Sequence, residues 1–159
     1  MVILGIDPGS TITGYGAIEA AKERPLSCLD YGGIHLATVA DFHGKIKRIY
    51  DEIGGLISKH RPDFIVLEDI FYSQNAQAAL KLGQARGASI LAALNNQVPV
   101  AAYSAREVKQ AITGHGAASK EQVRRMVEAI LRLEIRISPL DASDALAIAI
   151  CHAGRLKLA

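Results

Sequence analysis

Three places in this sequence set an acid where an apolar run begins or ends. "VILGID" carries Val2, Ile3, Leu4 and Ile6 up to Asp7, "DFIVLED" carries a β-branched run to Glu68, and "SPLDASDALAIAI" places Asp141 and Asp144 at the head of an apolar segment. An ionised carboxylate taken out of water is costly without a partner, so such acids either cap local structure or await a cation. Each has an ordinary reading by itself: Asp7, before Pro8-Gly9, as an Asx-type turn residue, Glu68 as an exposed strand end, and Asp141 as a helix N-cap or first-turn acid. Together they point further. Asp141 and Asp144 lie three apart at the start of a helix and so share a face. If that helix end packs over the two strand ends, four carboxylates converge, and they raise one another's pKa unless a cation neutralises them. An all-oxygen set favours Mg²⁺ or Mn²⁺ over zinc. Two such ions about 3.5–4 Å apart, bridged by one carboxylate, serve in-line phosphoryl displacement. The expected arrangement has Asp7 bridging, with Glu68 and the Asp141/Asp144 pair completing the shells.

The elements that must position these acids follow from periodicity. Val2 to Asp7, Gly14 to Glu19 and Cys28 to Leu36 read as three strands with short connections, hence an antiparallel meander. From Asp41 to His60, Phe42, Ile46, Ile49, Ile53 and Ile57 recur at helical spacing, and Arg61-Pro62 stops the helix. Asp63 to Asp69 is a fourth strand, and the strand, helix, strand order implies a right-handed crossover to a parallel neighbour. A helix over Asn75 to Asn96 carries Gly83 and Gly87 four apart, where another helix could approach closely. Val98 to Ser104 is a fifth strand, and Ser104 with Glu107 has capping-box spacing for the helix that follows. Helices from Lys120 to about Leu133 and from near Asp141 complete an α/β domain with a mixed sheet. Its ligand position should lie at the carboxyl ends of the first and fourth strands.

The 159 residues suit one domain over 1–159, and a chain half hydrophobic and 21% charged is far from a disordered composition. No apolar run reaches the roughly 20 residues of a membrane span. Strand-like residues begin directly after Met1, and the two cysteines, Cys28 and Cys151, have no metal-ligand spacing, so reduced thiols in the cytoplasm are expected. A net charge of +2 is only faintly basic. Between Arg106 and Arg136, however, basic residues outnumber acidic ones, as a solvated helical surface or a nucleic-acid face would require.

"GIDPGSTITGYGAI", "DFIVLEDIFYSQNAQAALKLGQARGA", "VKQAITGHGAASKEQV" and "DASDALAIAICH" together resemble the successive signature blocks of the RuvC Holliday-junction resolvases across essentially the whole chain. The resemblance implies an RNase H-like fold: a mixed five-stranded sheet, its first three strands antiparallel and its fourth and fifth parallel to the first, with helices on both faces. It implies catalytic, metal-binding acids at Asp7, Glu68, Asp141 and Asp144, two Mg²⁺ ions replaceable by Mn²⁺, and paired nicking of four-way junction DNA by a homodimer. Junction branch-migration proteins are its implied partners, and no membrane is involved. Lys109 and Lys120 take the place of basic residues beside the scissile phosphate. Phe71, and with it Tyr72, takes the place of the aromatic that stacks on or unpairs bases at the junction centre, and Arg86 would serve DNA or the dimer. The helix Asn75 to Asn96 is the expected dimer contact. His115 reads as a loop residue rather than a general acid. Other readings of the carboxylates are an RNase H-type nuclease acting on another nucleic acid, a junction binder without catalysis, and an actin-like nucleotide-binding module built on "DPGSTITG".

Overall fold

The structure, a computed structural model, describes residues 1–69 and 75–158. Five strands form one sheet: β1 (Val2–Asp7), β2 (Ile12–Glu19), β3 (Ser27–His35), β4 (Phe64–Asp69) and β5 (Val100–Ser104), in the order β3-β2-β1-β4-β5. β1, β2 and β3 pair antiparallel, while β4 is parallel to β1 and β5 parallel to β4. The helices are α1 (Phe42–His60), α2 (Ala76–Asn95), α3 (Ala105–Thr113), α4 (Lys120–Ile130) and α5 (Leu140–Arg155). This mixed sheet with its helices is the RNase H-like architecture expected.

Period-two alternation in the strands sorts the core into two layers. Leu4, Ile6, Ile65 and Leu67 face α1 and α2, joined by Ile49, Ile53 and Ile57 of α1 and Ala85, Ala88 and Ala92 of α2. Ile3, Ile18 and Val66 face the other way, onto Val108 and Ile112 of α3, Val123 and Val127 of α4 and nearly the whole of α5. Asp7 and Glu68 share the parity of Ile3 and Val66, so the sheet presents both to the α5 side.

Local chemistry sets the element ends. Asp41 caps α1 by accepting the Gly44 N–H at 2.8 Å, and Arg61 closes it in the left-handed conformation, φ 48°. The helix over Asn75 to Asn96 begins one residue in, because Asn75 is its N-cap. Ser104 and Glu107 complete the expected capping box, and Ser119 and Gln122 form a second one at the head of α4. β5 starts at Val100 rather than Val98, since the proline between them has no N–H to give a ladder. α4 ends at Ile130, short of Leu133, and α5 follows the cis Ser138–Pro139 bond with Pro139 as a cap that offers no side-chain acceptor. Cys151 is buried and Cys28 half-buried, both as free thiols. Among the described residues no helix is long and apolar enough to cross a membrane.

Candidate active site

Register brings the first two acids together. Ile6 of β1 sits opposite Leu67 of β4, so the next residue along each parallel strand, Asp7 and Glu68, stand side by side on one face. Behind Glu68, Arg86 of α2 donates through Nε to the Glu68 main-chain oxygen at 3.3 Å and through Nη2 to Asp69 Oδ1 at 2.9 Å. Arg86, expected to serve DNA or the dimer, ties α2 to the end of β4 through its guanidinium.

α5 delivers the second pair, and glycines let it in. A Cβ at Gly5 would stand 2.0 Å from Ala145 O, one at Gly14 2.1 Å from Asp141 O, and one at Gly16 2.5 Å from Leu146 Cγ. The first turns of α5 therefore rest on bare main chain of β1 and β2, closer than any side chain allows. Gly83 and Gly87, expected to admit a neighbouring helix, meet nothing within 4 Å in this chain. The signal for the true contact was the period-two pair in "TGYG", which puts Gly14 and Gly16 on the same face of one strand.

Asp7, Glu68 and Asp144 line one cavity of about 130 Å³, together with Lys109 of α3 and Lys120 of α4. Asp141 stands at its margin: it is half-buried and outside the lining, yet its charge acts on Asp7, Asp144 and Lys120. Lys120 Nζ donates to Asp144 Oδ2 at 2.5 Å. Phe71 and Tyr72 lie outside the described residues.

The electrostatics are those of an acidic cluster short of counter-charge. Burial first, then the charges of Asp144 and Glu68, push the Asp7 carboxyl up to about 8, with Lys120 pulling only partly against them. Burial and Asp144 raise Glu68, offset in part by Lys120 and Lys109. Burial raises Asp144 as well, against the hydrogen bond from Lys120. Burial would depress Lys120, but that hydrogen bond and the charges of Asp144, Asp7 and Asp141 hold its ammonium above the usual lysine value.

A hard divalent cation fits this donor chemistry: oxygen ligands only, in a cavity with room for several waters, around a carboxyl kept protonated by burial and by the charges of its neighbours. As the side chains stand, no three His, Cys, Asp or Glu groups among the described residues are gathered closely enough to hold an ion. Lys120 already engages Asp144 Oδ2, so gathering these acids around one ion requires side-chain movement.

The chain is similar to known proteins over nearly its full length. The family model described as "Crossover junction endodeoxyribonuclease RuvC" matches residues 3–152. Curated proteins of that name from Pelobacter propionicus and Geobacter metallireducens are 51% and 50% identical, each across 96% of this chain and across 85% and 92% of their own lengths. Among solved structures, Thermus thermophilus RuvC in complex with Holliday junction substrate superposes with a TM-score of 0.92 at 35% identity, over 99% of this chain and 95% of that one. The yeast mitochondrial Holliday junction resolvase Ydc2 shares the fold, with a TM-score of 0.67 at 13% identity over 94% of this chain and 77% of its own.

Proposed function

The chain belongs to the RuvC family of crossover junction endodeoxyribonucleases, and from that premise we propose that Asp7, Glu68, Asp141 and Asp144 hold two Mg²⁺ ions and, with Lys109 and Lys120, carry out its cleavage of four-way DNA junctions. The enzyme is a metal-dependent, structure-specific nuclease acting in recombination and repair. The observation that carries the assignment is the single cavity in which Asp7, Glu68, Asp144, Lys109 and Lys120 meet.

Bound Mg²⁺ supplies a water of lowered pKa and neutralises charge that develops on the phosphodiester. The chain's own residues prepare for this. Asp7, half-buried at the end of β1, would be the innermost donor, holding a cation through its deprotonated carboxylate. Glu68, fixed by β4 and the Arg86 tie, and Asp144, fixed by α5, approach from either side. Asp141, at the margin, adds negative charge and an outer donor. Lys120 exchanges Asp144 for the incoming phosphate, and Lys109 meets that phosphate from α3, so both ammonium groups stabilise charge on the reacting group.

Two coordinated cuts imply two sites, and the proposal includes a homodimer. α2 supports it: Leu80, Leu91 and Leu94 are 66%, 52% and 57% exposed, and they flank Gly83 and Gly87, which have open space before them. A second copy could cover that stripe and come close at the glycines. Phe71 and Tyr72 are assigned to the junction centre by the family resemblance, as are the branch-migration partners. A cytoplasmic setting agrees with the free thiols, and one sheet carrying both core layers supports a single domain over 1–159.

A synthetic four-way junction, a linear duplex and an RNA–DNA hybrid, each supplied with Mg²⁺, test the reading. Two symmetric nicks confined to the junction, absent in Asp7→Asn, are expected. Cutting of the hybrid alone, or undiminished junction cutting by Asp7→Asn, would overturn it.

A further inference from the structure

The wall that carries Lys109 continues past the carboxylate cavity into an open groove of about 590 Å³ between α3 and the 114–117 loop, sharing Ala105 and Lys109 with that cavity. We propose that this groove seats a DNA backbone phosphate adjacent to the one cleaved, with Arg106 as its main donor and His115 as its second, an assignment that rests on the nuclease reading of the carboxylate site.

The polar side chains of the groove are Arg106, Lys109, Gln110 and His115, with no carboxylate among them. Arg106 has no acidic partner among the described residues, whereas nearby basic side chains do: Arg155 pairs with Glu107, Lys120 with Asp144, and Arg125 with Glu121, while Lys109 acts on Glu68 and Asp144 across the adjoining cavity. Glu107, next to Arg106 in sequence, is turned to the Ser104 cap and to Arg155. The Arg106 guanidinium thus stands on this wall without an anion among the described residues.

The donors are also held in place. The aliphatic stem of Arg106 lies against Gly116, where a Cβ would come within 2.9 Å of Arg106 Cγ. Gln110 is committed to Gly114 O at 2.7 Å, which draws the loop onto α3. Thr113 Oγ1 donates to Lys109 O and accepts the His115 N–H at 3.2 Å. His115 Nδ1 accepts the Ala117 N–H at 3.2 Å, so the ring proton resides on Nε2, which is then an N–H donor. A guanidinium offers paired N–H groups to two oxygens of one phosphate. A DNA strand carries a phosphate at every nucleotide, so a strand whose scissile phosphate lies at Lys109 and Lys120 brings the next one to this groove.

Junction affinity measured without added metal, across a range of salt, tests this for Arg106→Ala and His115→Ala. For Arg106→Ala the magnitude of the log K against log salt slope should fall by about 0.9, the value for one phosphate contact, with affinity falling alike for junctions of any sequence. His115→Ala should weaken binding less. A neutral methylphosphonate placed beside the scissile position should weaken wild-type binding but weaken Arg106→Ala much less, since the main contact is already gone. Unchanged slope and affinity in both variants, or an equal methylphosphonate penalty in wild type and Arg106→Ala, would overturn the groove assignment while wild-type cleavage left the nuclease reading standing. A wild-type protein that fails to cut junctions would remove both.

Discussion

Lys120 and Asp144 are joined across the mouth of the carboxylate cavity: Nζ donates to Oδ2 at 2.5 Å, from a side chain 60% exposed to one only 14% exposed. The lysine therefore enters from the solvent side and covers an acid that α5 holds inside. A flexible ammonium so placed can turn outward to a phosphate without any shift of the main chain. Lys120→Met is expected to slow single-turnover cleavage by about 10²–10³-fold, and quenched-flow on a labelled junction would measure it. A change of less than tenfold would reduce the lysine to a structural partner of Asp144.

Asp7 gives the metal-free protein a pH dependence whose sign is fixed. Its carboxyl is pushed up to about 8 in the folded chain, from the ordinary aspartate value of 3.8, so between about pH 4 and 8 the folded state keeps a proton that the unfolded state has lost. Stability from this group falls as pH rises, by up to about 1.4 kcal/mol for each pH unit in that window. Urea unfolding in chelator should show that slope for wild type and a flatter one for Asp7→Asn.

The same proton must leave when a cation binds. At pH 7, below the Asp7 value of about 8, Mg²⁺ binding should release close to one proton, and its affinity should strengthen from pH 6 to 8. Calorimetry in two buffers of different ionisation enthalpy reads the proton count directly. A count of zero would contradict the buried, protonated carboxyl.

Gly14→Ala should be far more damaging than its size suggests, since the added methyl meets Asp141 O at 2.1 Å. Displacing the head of α5 is expected to cost about 1–3 kcal/mol of stability and, by moving Asp144, to reduce cleavage beyond the stability loss. Thermal melts and single-turnover rates on the same preparation separate the two effects.

Gly87→Ala tests the exposed stripe of α2. With nothing within 4 Å, the substitution should stabilise the isolated chain by up to about 1 kcal/mol through helix propensity. It should also weaken self-association if the stripe is the dimer contact. Leu91→Glu, at a side chain 52% exposed, should shift the sedimentation coefficient toward the monomer. Unaltered sedimentation in both variants would move the interface elsewhere.

The sequence made some of this legible and hid the rest for physical reasons. Strand and helix order, and the acids at the ends of β1 and β4, were open to reading because burial leaves strong periodicity and because a charge at the end of an apolar run is conspicuous. The Ser104 and Glu107 capping box was equally plain, being local in sequence. Glycine roles were only partly legible: within the chain Gly83 and Gly87 face open space, while Gly5, Gly14 and Gly16 make the close contacts. Deciding that requires knowing which strand face meets α5, a long-range fact. Asp141 looked equivalent to Asp144, and only the docking angle of α5 places one in the cavity lining and the other at its margin. Arg86 gave no local sign of its tie to β4, eighteen residues back in the chain.

The seating of α5 on Gly5 and Gly14 bears on how this enzyme could be re-engineered. Interfaces built from side chains tolerate exchange, because one volume can be traded for another on the opposite surface. Here a carbonyl rests where a β-carbon is missing, and no compensating trade exists. The anchor points of the acids are thus set by the course of the polypeptide itself. Efforts to retune the preferred ion must vary donor length or type at fixed positions, since the positions cannot be slid.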